Sequence, residues 1–446
     1  MRPFVLALPL LVAACGSYGP DRVAATATGF VSHQLCSAVF VSGLDGDRFY
    51  AQAIEPTLAP LDGLVSHQVD HAAGTVTARL AGVEARAVYR GPYGCLLDLP
   101  PPARFGPAAP DPAGAAMIAA TDPRLLAALD AEFAPAAGRM PSALVIMHEG
   151  RIVAERYAAG VGVGTPLHGW SATKSVTHAL LGILVRQKRI AIDAAAPVPE
   201  WAGGEDPRHA ITIDQMMRMT SGLDLGQSLA AGFASAFDPA AQMLFGRRDM
   251  AAWAAQGELV APPGTRWTYT DGNTMILSRI IRDQVGGDAA GTLAFARREL
   301  FDKLGMTGVT LEFDGTGTPL GGSHMYAPAR AWARFGQLYL DDGIAKGEQL
   351  LPPGWVDAAA RPTPEADDVG YGAGFWTNRG NGPGARSRVA AGMPADAFMA
   401  RGSFGQYVVI VPSARLVIAR FGTFHTRYGD IDAMSRLVAQ VVAALR

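Results

Sequence analysis

Ser171 and Lys174 lie three residues apart in the run Gly169-Trp170-Ser171-Ala172-Thr173-Lys174. A serine hydroxyl is a weak nucleophile at neutral pH and needs a base within hydrogen-bond reach. Residues i and i+3 share one face of a helix, so this spacing lets the Ser171 hydroxyl and the Lys174 amine meet directly. At a helix start the first N–H groups have no partner inside the helix, and the Ser171 N–H is offered to a developing oxyanion. The positive end of the helix dipole and burial both work against an ammonium, which predicts a partly neutral Lys174 able to take a proton. Lysine is scarce: Lys174, Lys188, Lys303 and Lys346 are the only four. The competing reading is an N-cap serine followed by a solvated lysine.

Two further runs carry chemistry. In Arg266-Trp267-Thr268-Tyr269-Thr270-Asp271-Gly272-Asn273, a tyrosine on a turn ahead of a helix can stand beside a Ser-Lys pair and pass a proton to a leaving group. In Arg401-Gly402-Ser403-Phe404-Gly405-Gln406, glycine lets substrate approach the backbone, and the Ser403 N–H would complete an oxyanion hole. Trp170, Asp271, Arg401 and Gly402 are the candidate substrate contacts. Taken singly, a packed aromatic and a strand-bounding turn account for these two runs equally well. The other nucleophile signature, Gly-x-Ser-x-Gly, is absent. His67 and His71 are four apart but lack a third ligand or a catalytic Glu nearby, so they are expected at the surface and no metal or cofactor is implied.

The elements that must hold these residues can be read from pattern. A helix is expected to open the larger domain. A hairpin follows over 143–148 and 151–156 around the turn Glu149-Gly150. An apolar helix is expected from Ser171 to about Gln187, with others near 213–219, 274–283 and 329–340. Strands return over 398–401, 406–411 and 416–421, and a last helix runs over about 430–445. Strands at both chain ends with helices between them predict an α/β fold whose sheet joins the two ends. Upstream, short β-like runs at 37–41 and 75–80 suggest a separate small region.

At 446 residues the chain has room for several domains, and 49% hydrophobic with 17% charged residues is a globular composition. A net charge of −2 gives no reason to expect nucleic acid as a partner. Residues 1–14 read as a signal peptide, with Arg2 ahead of the apolar core Phe4 to Leu11. Val12-Ala13-Ala14-Cys15 resembles a lipobox, which would make Cys15 a lipidated first residue and a lipid anchor the only membrane contact. Periplasmic localisation is the corresponding expectation. Residues 15–29 would be a tether, 30–99 a small N-terminal extension, 100–114 a Pro/Gly linker and 115–446 the catalytic domain. Cys36 and Cys95 would pair in an oxidising compartment, two separate thiols being the alternative.

In this order, the three runs resemble the serine β-lactamase/penicillin-binding superfamily. The nearest branch is that of 6-aminohexanoate-dimer hydrolase and the related class C-like esterases. Further matches are Thr220-Ser221-Gly222-Leu223, Arg334 to Leu340, Tyr371-Gly372 with Gly374-Phe375-Trp376, and the extension around Cys36 and Cys95. The resemblance implies a β-lactamase-like fold: an antiparallel sheet flanked by helices, an all-α subdomain, and a small α/β N-terminal extension. It implies an acyl-enzyme on Ser171, with Lys174 as base and Tyr269 as proton donor and acceptor. Two departures bear on the substrate. Penicillin-handling members have Lys-Thr-Gly where this chain has Ala400-Arg401-Gly402, and class C β-lactamases have an asparagine where Asp271 stands. Losing a cation that would hold a substrate carboxylate points to a small-molecule ester or a different amide. Ala331 stands where relatives have an acid, which is expected to be a local structural difference. The alternatives are β-lactamase or D-alanyl peptidase activity, or a non-catalytic envelope lipoprotein keeping the fold.

Overall fold

Five consecutive residues from Ala143 to Met147 are buried, as expected of a strand covered on both faces. The computed structural model that shows this describes residues 19–59, 61–100, 117–228, 232–426 and 430–446. The expected signal segment, Cys15 and the linker from 101 onward lie outside the described residues.

Among the described residues, fifteen strands fall into four sheets. The extension carries β1 (Ser66–Asp70), β2 (Thr75–Leu80), β3 (Val83–Tyr89) and β4 (Cys95–Leu97), all antiparallel. The main sheet contains β5 (Arg139–His148), β6 (Arg151–Tyr157), β12 (Trp376–Thr377), β13 (Phe398–Gly402), β14 (Gln406–Val411) and β15 (Leu416–Phe424). Its order is β12-β13-β14-β15-β5-β6, so β15 beside β5 joins the two ends of the domain. The hairpin between β5 and β6 turns at Glu149 and Gly150, both with positive φ, as a tight two-residue turn requires. A small sheet of β7 (Leu167–His168), β9 (Met325–Ala327) and β8 (Thr310–Leu311) braces the segment before Ser171. A short hairpin of β10 (Ile344–Ala345) and β11 (Glu348–Gln349) completes the set.

Seven helices matter for the site: α1 (Pro20–Cys36), α2 (Pro123–Phe133), α3 (Thr173–Arg186), α4 (Pro239–Gly246), α5 (Asp271–Gln284), α6 (Ala329–Leu340) and α7 (Ile431–Ala444). On one face of the main sheet, α2 and α7 pack Leu125, Leu129, Leu437 and Val441 against Leu144, Ile146, Val409 and Ile418. On the other, α3 and α6 share a core with Val145, Val408 and Val417. There α6 approaches so closely that a Cβ on Gly336 would meet Val417 Cγ1 at 2.6 Å. The helical lobe containing α4 and α5 joins the same core through Met243, Leu277 and Ile281. Arg330 of α6 pairs with Glu155 of β6, and Ala331 beside it is buried.

Two expectations for the extension need correction. The tether assigned to 15–29 is helix from Pro20 onward. Pro20 at the helix start and Asp21 in the first turn suit a helix N-terminus. Ala24, Ala27, Val31 and Leu35 form its buried stripe against the four-stranded sheet. Length and composition would let the helix through Val41 cross a membrane, but most of it is buried inside the protein. Likewise, Ser37–Val41 is a wide helical turn in place of a strand, because tertiary packing overrides the β-propensity of Val39, Phe40 and Val41. Cys36 and Cys95 form a disulfide, with Cα atoms 6.1 Å apart.

Candidate active site

Trp170, directly before the nucleophile, has φ +46°, a left-handed conformation that L-residues adopt at a cost of about 1–3 kcal/mol. The chain then makes a 3-10 turn over Trp170–Ala172 and enters α3 at Thr173. This turn presents Ser171, half-exposed, beside buried Lys174. The lysine Nζ donates to Ser171 Oγ at 3.1 Å, to Asp271 Oδ1 at 2.5 Å and to the Gly322 carbonyl at 2.9 Å. It also stands 4.9 Å from the centroid of the Tyr269 ring. Ser171, Lys174 and Tyr269 are therefore together, as the sequence implied.

The protonation of Lys174 differs from the sequence expectation. Burial alone pushes its ammonium down, but the Asp271 carboxylate and the Tyr269 hydroxyl outweigh burial and hold it above the ordinary lysine value. Asp271, expected as a substrate contact, is instead a buried counter-ion inside the site. Thr270 caps α5 and accepts from the Gly272 N–H at 3.2 Å, so Asp271 lies in the first helical turn. Its own N–H donates to Ser228 Oγ at 2.8 Å.

The opposite wall is the end of β13. A Cβ on Gly402 would meet the Gly169 carbonyl at 2.1 Å and Trp170 Cβ at 2.9 Å. Glycine is thus what allows this strand to press against the nucleophile turn, leaving exposed Ser403 next in line. Phe404 also has positive φ, and its ring centroid lies 5.3 Å from that of Trp170. Arg401 places its guanidinium 5.1 Å from the Trp376 ring centroid and 5.8 Å from that of Tyr407. Trp376 in turn packs with Trp267, Tyr269 and Tyr371, an aromatic cluster behind the tyrosine. Ala400, at the position of the absent lysine, is buried in the core.

Sequence reasoning missed the backing layer. His168 stacks on Trp170 at 4.2 Å, and its Nε2 is 2.9 Å from the Ser323 carbonyl. The signal was present as Gly321-Gly322-Ser323-His324, a run whose glycines mark close backbone approach. A Cβ on Gly322 would meet Asp271 Oδ1 at 2.6 Å. Burial lowers His168 to about 3, and the nearby His33 adds to this; burial also takes His324 well below the ordinary histidine value. Both rings are neutral at physiological pH. A cavity of about 150 Å³ is lined by Trp170 and Gln406 from the site and by Gln34, Ser42 and Arg48 from the extension.

His33, Glu312 and His324 offer ligand atoms within 4.8 Å of one another. The two imidazoles are stacked with centroids 4.8 Å apart and planes 2° from parallel, so their in-plane lone pairs do not converge on one ion. Hydrogen bonds already engage His33 Nε2 and both nitrogens of His324. The expected histidine pair lies elsewhere, with His67 stacked on Tyr50 at 4.1 Å and His71 beside Phe40.

The family model described as Beta-lactamase matches residues 124–443. The chain belongs to the β-lactamase family. It is 26% identical over 238 residues to 6-aminohexanoate-dimer hydrolase of Paenarthrobacter ureafaciens, a match spanning 48% of this chain and 56% of that enzyme. The chain thus covers little more than half the length of that relative. A Bacillus anthracis structure provisionally named a 6-aminohexanoate-dimer hydrolase has a TM-score of 0.56 at 23% identity, covering 80% of this chain and 90% of the other. A family VIII carboxylesterase gives 0.54 at 16% identity, covering 73% and 98%. At these identities the structural likeness speaks for the fold.

Proposed function

We propose that this β-lactamase-family protein is an exported hydrolase that cleaves a small-molecule ester or amide through an acyl-enzyme on Ser171. The observation that carries the reading is the Lys174 Nζ, 3.1 Å from Ser171 Oγ and fixed from behind by Asp271 and Gly322. Tyr269 and Lys174 act as a unit. Once the pair has lost one proton, it accepts the Ser171 proton as Oγ bonds to the substrate carbonyl carbon. The N–H groups of Ser171 and Ser403 take the oxyanion. The pair returns its proton to the leaving alkoxide or amine as the C–O or C–N bond breaks. Water then attacks the acyl-enzyme, the pair takes the water proton, and Ser171 leaves with it.

Buried Ala400 in place of a lysine supports an ester or linear amide over a β-lactam bearing a carboxylate. Export, a Cys15 lipid anchor and a periplasmic site are supported by the N-terminal pattern and by the disulfide, which suits an oxidising compartment. A fluorophosphonate probe tests the nucleophile: folded wild type is labelled and Ser171→Ala is not. Unlabelled folded wild type sinks the reading. A panel of p-nitrophenyl esters, short linear amides and nitrocefin tests the substrate class, with esters or amides turning over fastest. Rapid nitrocefin hydrolysis would overturn that preference.

A further inference from the structure

We propose that the N-terminal extension completes the catalytic centre, with Gln34 and His33 of α1 acting through His324 and Glu312 as positioning residues for the Gly322 carbonyl that anchors Lys174. The proposal rests on the acyl-enzyme reading above and adds to it a second structural unit.

The chain of contacts is continuous. On the extension side, His33 Nε2 lies 2.9 Å from Glu312 Oε2 and 3.1 Å from the Cys95 carbonyl. Ser37 Oγ and the Cys95 N–H both donate to Glu312 Oε1, at 2.6 and 2.8 Å. A catalytic-domain carboxylate with no exposed surface therefore takes its polar contacts from groups of the extension, as a buried charge requires partners. His324 is held in the same way. Its Nε2 meets the Gln34 side-chain amide at 2.9 Å, its Nδ1 meets Ser323 Oγ at 2.6 Å, and one face is covered by His33.

From His324 the path to the chemistry is short. Ser323 sends its carbonyl to His168, which stacks on Trp170 beside the nucleophile. Gly322 sends its carbonyl to Lys174 Nζ. Gly321 and Gly322 bring no side chains of their own. A Cβ at Gly321 would meet Thr177 Oγ1 and Ser278 Oγ at 2.4 Å, and one at Gly322 would meet Asp271. The segment is pressed flat between α3 and α5, where Thr177 Oγ1 donates to the Gly321 carbonyl at 2.8 Å, and the Ser323-His324 end holds its other side. An error near 1 Å in a reacting group costs about 10²-fold in rate, so a loose His324 should register in the chemistry.

The test uses the full chain and three variants. Gln34→Met keeps side-chain volume and deletes the hydrogen bond to His324. His33→Gln keeps a donor for Glu312 and removes the stacked ring; it takes the place of Gln34→Met if that variant does not fold. Leu80→Ala is the control, because Leu80 is buried in the extension's own core away from His33, Gln34 and His324. The expected result for folded Gln34→Met is at least a tenfold drop in kcat and in fluorophosphonate labelling rate. KM for a small ester stays within about twofold, and the rising limb of kcat/KM against pH moves to lower pH. Leu80→Ala lowers the melting temperature without moving that limb. A folded Gln34→Met, or His33→Gln in its place, with wild-type labelling and an unmoved limb overturns the proposal. Absence of labelling in wild type overturns the acyl-enzyme reading instead, so the two failures are distinct.

Discussion

At the residue scale, Asp271 is the carboxylate that holds Lys174 protonated, and on the acyl-enzyme reading it sets the pH at which the site becomes competent. A carboxylate 2.5 Å from the Lys174 ammonium stabilises the protonated pair and raises the pH at which it gives up a proton. Asp271→Asn removes that charge, so the rising limb of kcat/KM against pH should move about one to three units lower. An unmoved limb would show that the pair does not titrate in the rate-limiting step. Gly402 gives a second prediction. Because a Cβ there would strike the Gly169 carbonyl at 2.1 Å, Gly402→Ala should push β13 off the nucleophile turn. Expected costs are about 1–3 kcal/mol in urea-melt stability and about 10²-fold in labelling rate. A stable variant that labels at the wild-type rate would remove β13 from the oxyanion site. Ser171, Lys174, Tyr269 and Gly402 could be picked out in sequence because each sits in a short run of distinctive residue types, and the fold brings them together. Asp271 was legible as a residue of the site but not as a counter-ion, since only the fold brings it to Lys174. The Gly322 carbonyl carries no side-chain signature at all.

At the scale of elements, His178 clamps α3 to α6. Its Nδ1 is 2.8 Å from the Tyr339 hydroxyl and 3.1 Å from Trp355 Nε1, so the ring accepts and must stay neutral. Burial, aided by the Arg218 charge, lowers it to about 3. With its folded value below the unfolded one of about 6.5, the unfolded chain binds the extra proton, and stability is lost as pH falls from about 6.5 towards 3. His168 and His324 act in the same direction. Urea melts between pH 6.5 and 5 should show stability falling ever more steeply, each neutral ring contributing up to about 1.4 kcal/mol per pH unit once the unfolded histidines are fully protonated. A flat profile would mean that these rings gain protons without unfolding. The elements themselves were largely readable. The hairpin of β5 and β6 announces itself through Glu149-Gly150, and α6 occupies the residues its periodicity implied. Helix α1 was not readable as a helix, because Ala, Thr and Gly dilute its buried stripe and its apolar partners lie in strands 40 to 60 residues later.

At the scale of the whole molecule, the extension meets the catalytic domain at several places, among them Arg48 on the Ala159 carbonyl and His425 on the Gln52 carbonyl. On one side α1 meets α4 so tightly that a Cβ on Gly29 would strike the Phe245 carbonyl at 2.1 Å. On the other, the Cys36–Cys95 disulfide fixes the end of α1 to β4 beside the Glu312 contacts. The bridge closes a separation of 59 residues, for which loop entropy corresponds to about 4 kcal/mol. This loop lies wholly within the extension, yet its Cys95 end supplies the N–H and carbonyl that hold Glu312 and His33. Opening the bridge should therefore act twice. Thermal melts of the Cys36→Ser/Cys95→Ser double variant should show a lower transition temperature or a separate early transition. Hydrolysis measured well below that transition should already be slower than in wild type, because the Glu312 and His324 supports are loosened before the main sheet unfolds. A double variant that melts early but keeps the wild-type rate would confine the bridge to stability. One that melts like wild type would show that the strands and α1 hold the extension without it.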